Sequence, residues 1–256
     1  MKKLRWTYVL PLVLAASAAA AQEPAAPPQS GPVTRQSAVR ENPLLDFEYS
    51  WPEAISPDTK LVDLLKADLS KSYDEALKNA RENKAEMDKF GGPFNQNMFN
   101  RAWDLQGQTE RLISLVASTD TFAGGAHPNH DSSALLWDRK AGAEIKFADL
   151  FAAADGLESA LRTQYCKLLD AERAKRRQGE VLDGEFAQCP VFSDLTIAPA
   201  GKDGAGPFDS VVLIADPYVA GPYVEGEYEI VMPVTAGFIG ALKGDFRSDF
   251  KAQRAQ

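Results

Sequence analysis

Histidine and cysteine are scarce in this 256-residue chain, with two of each, and the scarcity excludes several chemistries. Cys166 and Cys189 lie far from a Cys-x-x-Cys spacing, so a redox role is disfavoured. With no third histidine, a histidine-rich metal site would have to recruit ligands from elsewhere. The serines include no Gly-x-Ser-x-Gly elbow. The glycine-rich run Gly201 to Gly206 lacks the Lys-Ser/Thr and the strand-then-helix context of a phosphate cradle, and reads as a hairpin turn. Basic residues are also in deficit, 28 Lys and Arg against 36 Asp and Glu. That balance argues against nucleic acid, whose phosphates demand a basic surface. No internal repeat is apparent.

The N-terminus reads as a targeting segment over residues 1–21. Lys2, Lys3 and Arg5 form a positive region, Tyr8 to Leu14 an apolar one, and Ala18 to Ala21 a small-residue cleavage site. The apolar stretch is short for a membrane span, and no cysteine follows it, which excludes a lipoprotein anchor. The expectation is export to the periplasm, cleavage near Ala21 and no stable membrane insertion afterwards. Cleavage takes three basic residues and no acidic ones, moving the net charge from −8 to about −11. An even pair of cysteines in an oxidising compartment implies a Cys166–Cys189 disulfide. Residues 22–42, rich in Pro, Ala, Gln and Ser, read as a flexible linker.

Hydrophobic periodicity organises the rest. Leu45, Phe47, Tyr49 and Trp51 alternate as in a strand. A long helix follows, with Ser56 as N-cap, Pro57 in first position, and a stop at Gly91-Gly92-Pro93. Its second half is heavily charged and should project past the core or bend. Met98 to Gln106 and Arg111 to Phe122 form an antiparallel hairpin, followed by strands at Ser132 to Trp137 and Glu144 to Phe147. Leu157, Leu161, Tyr165, Leu168 and Leu169 mark one face of a second helix reaching Arg177. Strands return at Leu195 to Ile197, Val211 to Ala215 and Glu227 to Met232, and a short helix from Pro233 to Leu242 closes the chain. The fold class is α+β: antiparallel sheets packed with a long N-terminal helix and a second, central helix.

Two segments stand out as candidate sites. Both histidines fall within Gly124-Gly125-Ala126-His127-Pro128-Asn129-His130-Asp131, read as a loop between strands. His127, His130 and Asp131 could ligate a metal, could be structural, or could contact a partner; Pro128 and the glycines speak against the helical face that close histidine pairs use for zinc, so no metal is assigned. The second segment, Asp216 to Gly226, carries Tyr218 and Tyr223 among prolines and glycines. Its rings could form an exposed ledge for a glycan or peptide, or pack on the sheet. No catalytic residue is assigned, since no carboxylate pair has a recognisable hydrolase spacing.

Gly124-Gly125-Ala126-His127 followed by Phe147-Ala-Asp-Leu-Phe151, then Val211 to Pro222 and Tyr228 to Pro233, resembles a bacterial envelope domain of unknown function. That domain is found in the outer region of RsiV-like lysozyme-sensing anti-sigma factors and beside the catalytic domain of PdaC-like peptidoglycan deacetylases. The resemblance implies a small companion region over 43–94, made of a strand and the long helix, and an RsiV-like α+β domain over 95–256. It also implies envelope recognition. The chain departs from those proteins in showing neither a sigma-binding segment nor a deacetylase domain. The resulting expectation is a non-catalytic, cofactor-free binding module for a cationic protein such as a lysozyme-type hydrolase, or for a peptidoglycan fragment. The competing expectation is a glycan-active hydrolase with an unrecognised site.

Overall fold

The computed structural model describes residues 34–201 and 204–253, so the expected targeting segment lies outside the described residues. Among the described residues, nine strands and three α-helices are arranged as two sheets, each backed by one of the longer helices. The first sheet has the order β1(Arg35–Asn42), β2(Leu45–Pro52), β3(Asn97–Gln108), β4(Leu112–Phe122), β5(Asn129–Asp138), β6(Ala143–Ile145). The second contains β7(Thr196–Ala200), β8(Ser210–Ala215) and β9(Tyr228–Pro233). Helices α1(Thr59–Phe90), α2(Gly156–Arg176) and α3(Ala236–Ala241) complete the chain. The α+β class is as expected. None of the described helices is long and apolar enough to cross a membrane.

Alternation on the strands explains the layering. On β4, Ile113, Leu115 and Ala117 face the core shared with Leu61, Leu65 and Leu69 of α1, while Val116 turns to the second sheet. Strand β8 is buried along its whole length: Val212 and Ile214 meet Val116, whereas Val211 and Leu213 pack with Leu161, Tyr165 and Leu169 of α2. A strand covered on both faces reads as a continuous apolar run rather than an alternating one, which is the Ser-Val-Val-Leu-Ile-Ala sequence of β8. The layer order is therefore α1, first sheet, second sheet, α2.

Three local expectations are corrected. The tether expected over 22–42 does not reach its end, because residues 35–42 pair antiparallel with β2. Helix α1 starts at Thr59 with Asp58 at its N-cap; Ser56 instead closes a 3-10 turn over Glu53–Ile55 that buries Ile55. The Asp58 carboxylate does not cap the helix but receives two hydrogen bonds from Arg139, each 3.0 Å. Finally, the first sheet is not wholly antiparallel: β2 and β3 run parallel, joined by α1 as the crossover, the connection that parallel neighbours require. This pairing carries the sheet continuously across residue 94. As expected, the charged second half of α1 lies past the core, with Ala80 its last buried residue.

The disulfide joins α2 to the loop before β7, with Cα atoms of Cys166 and Cys189 5.5 Å apart. Beside it, the buried Arg173 donates to the carbonyl oxygens of Ala220 (2.9 Å) and Gln188 (3.0 Å).

Candidate functional site

The two segments singled out in the sequence meet in space. The imidazole of His127 stacks on the Tyr223 ring with centroids 3.7 Å apart, and Tyr218 lies 5.8 Å from Tyr223. The Tyr223 hydroxyl donates to the Pro128 carbonyl at 2.9 Å, tying the β8–β9 connection to the β4–β5 connection. His127 is exposed and Tyr218 is 57% exposed. Together the three rings form a ledge at the rim where the two sheets meet.

Backbone geometry presents this ledge. Gly124 and Gly125 have φ of +92° and +109°, with open space where a Cβ would lie. They are needed for the turn itself, because side-chain-bearing residues avoid that region. Tyr218 adopts φ +74° without being glycine, a conformation that costs roughly 1–3 kcal/mol and tends to persist at sites of function. Gly221 answers a different demand: a Cβ there would run into the carboxylate of Glu225.

The segment below the ledge is held by the C-terminal turn of α2. Arg177 grips Glu225 through both carboxylate oxygens, at 2.8 and 2.9 Å, and the Tyr228 hydroxyl donates to the same carboxylate. The Arg177 guanidinium holds the Glu225 carboxyl below the usual carboxylate range, outweighing its desolvation. Arg176 donates to the carbonyl oxygens of Glu225 and Glu227 and lies 4.1 Å over the Tyr228 ring. In sequence these arginines look like a solvated polar stretch; in the fold they anchor the tyrosine segment.

His130 is not a loop residue. Strand β5 begins at Asn129, and His130 sits directly opposite Asp120 of β4. Its Nδ1 is 2.8 Å from Asp120 Oδ1 and its Nε2 3.0 Å from Glu227 Oε2. Desolvation lowers its pKa, but the hydrogen bonds to Asp120 and Glu227 more than offset this and raise it above the ordinary value. Asp131, next along the strand, points to the opposite face by alternation and is exposed. The three ligands considered in the sequence, His127, His130 and Asp131, therefore do not converge. A different set does: His130, Asp216 and Glu227 bring one ligand atom each within 4.8 Å of one another. Asp216 accepts from the Ser132 N–H at 2.9 Å and from its hydroxyl at 2.5 Å. Desolvation and the Glu227 charge raise the Glu229 carboxyl nearby. Asp120 and Glu227 escaped the sequence reading because nothing local distinguishes them among 36 acidic residues, and Asp216 entered it only as the start of the tyrosine segment.

Residues 38–130 match the family model described as Deacetylase PdaC. The match runs from β1 to His130, and so includes α1 and the histidine loop but not Asp216 or Glu227. A crystal structure of a DUF3298 family protein from Pseudomonas aeruginosa PAO1 superposes with a TM-score of 0.53 at 15% identity, covering 87% of this chain and 98% of that one. Its fold is shared. A DUF3298 family member from Bacteroides fragilis NCTC 9343 gives a TM-score of 0.49 at 16% identity, with 78% and 90% covered. A search of curated proteins finds no match. The PdaC-type match and the DUF3298-like fold agree with the resemblance drawn from the sequence motifs at that level. Neither assigns a catalytic site.

A concavity of about 270 Å³ lies between α1 and β3 and is lined by Leu45, Ala76, Phe99 and Phe122. At its edge Arg101 pairs with Asp68 at 2.8 Å.

Proposed function

We propose that this is an exported, periplasmic, non-catalytic recognition module, and that its binding surface is the ledge of His127, Tyr218 and Tyr223. The observation that carries this reading is the ledge itself: three aromatic rings from two separated segments, presented in strained or glycine-dependent backbone and locked from beneath by arginines. Amphipathic rings on a rigid scaffold are favoured in binding surfaces. A chain of net charge −8 favours a cationic partner. The RsiV-like resemblance points to the same class, a basic lysozyme-type hydrolase. A peptidoglycan fragment is the second reading, favoured by the exposure of the Tyr218 ring, which offers a flat face for a sugar.

The test is calorimetric titration of the mature protein with a basic lysozyme-type hydrolase and, separately, with soluble muropeptides. Saturable binding of the hydrolase that weakens as salt is raised, and at least tenfold in Tyr218→Ala/Tyr223→Ala, is the expected result. Binding of muropeptides alone transfers the ledge to the glycan reading. Reproducible release of muropeptides from intact peptidoglycan would replace recognition with hydrolysis.

A further inference from the structure

We infer that His130, Asp216 and Glu227 form a binding site for a divalent transition cation of the zinc class, separate from the ledge and independent of what the ledge binds. The three residues come from β5, the exit of β8 and the entry to β9, so the second sheet and the first contribute to one cluster. Zinc takes imidazole nitrogen at about 2.0–2.1 Å and carboxylate oxygen at about 2.0–2.2 Å in tetrahedral geometry. Two such ligands stand roughly 3.3 Å apart, close to the 3.0 Å between His130 Nε2 and Glu227 Oε2. The remaining ligand atom, on Asp216, lies within 4.8 Å of both.

The surroundings also suit a metal ligand. A ligating imidazole characteristically gives its other nitrogen to a carboxylate, which sets the tautomer and aims the free lone pair. Asp120 occupies that place on Nδ1, directly across the β4–β5 pair. Asp216 is itself oriented by Ser132. Three carboxylates around one imidazole carry three negative charges; an imidazolium offsets one of them, whereas a dication that displaces the Nε2 proton to solvent offsets two. The presence of imidazole selects zinc-like ions over calcium or magnesium, which prefer oxygen ligands throughout. His127 is excluded from the set, since its Nδ1 faces the Pro128 carbonyl and its ring stacks on Tyr223.

The experiment uses the tag-free exported protein, stripped of metal and titrated with zinc chloride by calorimetry. One equivalent should bind, calcium and magnesium should not compete, and the melting temperature should rise with zinc. Glu227→Gln, Asp216→Asn and His130→Ala should each weaken zinc at least tenfold, while His127→Ala leaves it unchanged. Because His130→Ala removes a cross-sheet contact and could misfold, long-range ¹H–¹⁵N spectra of the two imidazoles supply a second measure. Zinc should shift Nε2 of His130 and leave His127 in place. Absence of stoichiometric binding, affinity unchanged in Glu227→Gln and Asp216→Asn, or a shift confined to His127 would each overturn the site.

Discussion

Replacing Arg177 by methionine probes whether α2 supports the ledge. The guanidinium makes two charge-assisted hydrogen bonds to Glu225, and the two side chains are only 7% and 13% exposed. Methionine keeps most of the apolar stem and leaves the Glu225 carboxylate with the Tyr228 hydroxyl alone. Stranding one member of a buried pair costs about 3–5 kcal/mol. The retained tyrosine contact places this case near the lower end, about 3 kcal/mol. For a domain of this size that corresponds to a fall in melting temperature of roughly 6–12 °C. Two controls sharpen the test. Adding Glu225→Gln removes the stranded charge and should recover most of the loss. Acidification should also narrow the gap, because without Arg177 the buried carboxyl titrates at higher pH and becomes neutral. The assay is thermal unfolding followed by circular dichroism at pH 7 and pH 4. A variant that melts within about 1 °C of wild type at pH 7, or one that Glu225→Gln does not rescue, would refute the support attributed to this pair.

Other consequences concern acid, reduction and the two histidines. Burial pushes the Asp138 carboxyl up, but Arg111 and the backbone N–H groups of Ala141 and Lys140 pull it further down, below its ordinary value. Its stabilisation is therefore complete above the unfolded carboxylate pKa and lost as pH falls through the lower folded value; Asp138→Asn should flatten that acid limb in a urea-unfolding series. Reducing Cys166–Cys189, which spans 23 residues, should lower stability by about 3 kcal/mol on the chain-entropy model, and two free thiols in protein taken from the periplasm would contradict the bridge. His127→Ala should leave the melting temperature within about 1 °C, as an exposed position allows, whereas His130→Ala strands Asp120 and Glu227 and should cost about 1–3 kcal/mol; equal effects would show that the two imidazoles are not divided as described.

Long apolar periods made α1, α2, β4 and β8 legible in the sequence. Strand β1 was not, since Arg35 to Asn42 is mostly polar and rests on one neighbour. The parallel β2–β3 pair had a signal in the strand, long helix, strand order. The site was half legible. His127, Tyr218 and Tyr223 carried it through the glycines and prolines around them, but His130 and Asp131 were placed together because the strand was begun at Ser132. Starting it at Asn129 puts those two side chains on opposite faces. Asp120, Asp216 and Glu227 are brought in by strand register and by docking of the second sheet, neither of which has a local signature.

The most direct test of recognition by the ledge is Tyr218→Gly. Glycine relieves the left-handed strain at this position while removing an exposed ring of the ledge, so stability and binding should move in opposite directions. The measurement is affinity for a basic lysozyme-type hydrolase beside the melting temperature of the same preparation. The account predicts a melting temperature equal to or above wild type with affinity reduced at least tenfold. Unchanged affinity in a stably folded Tyr218→Gly protein would contradict it.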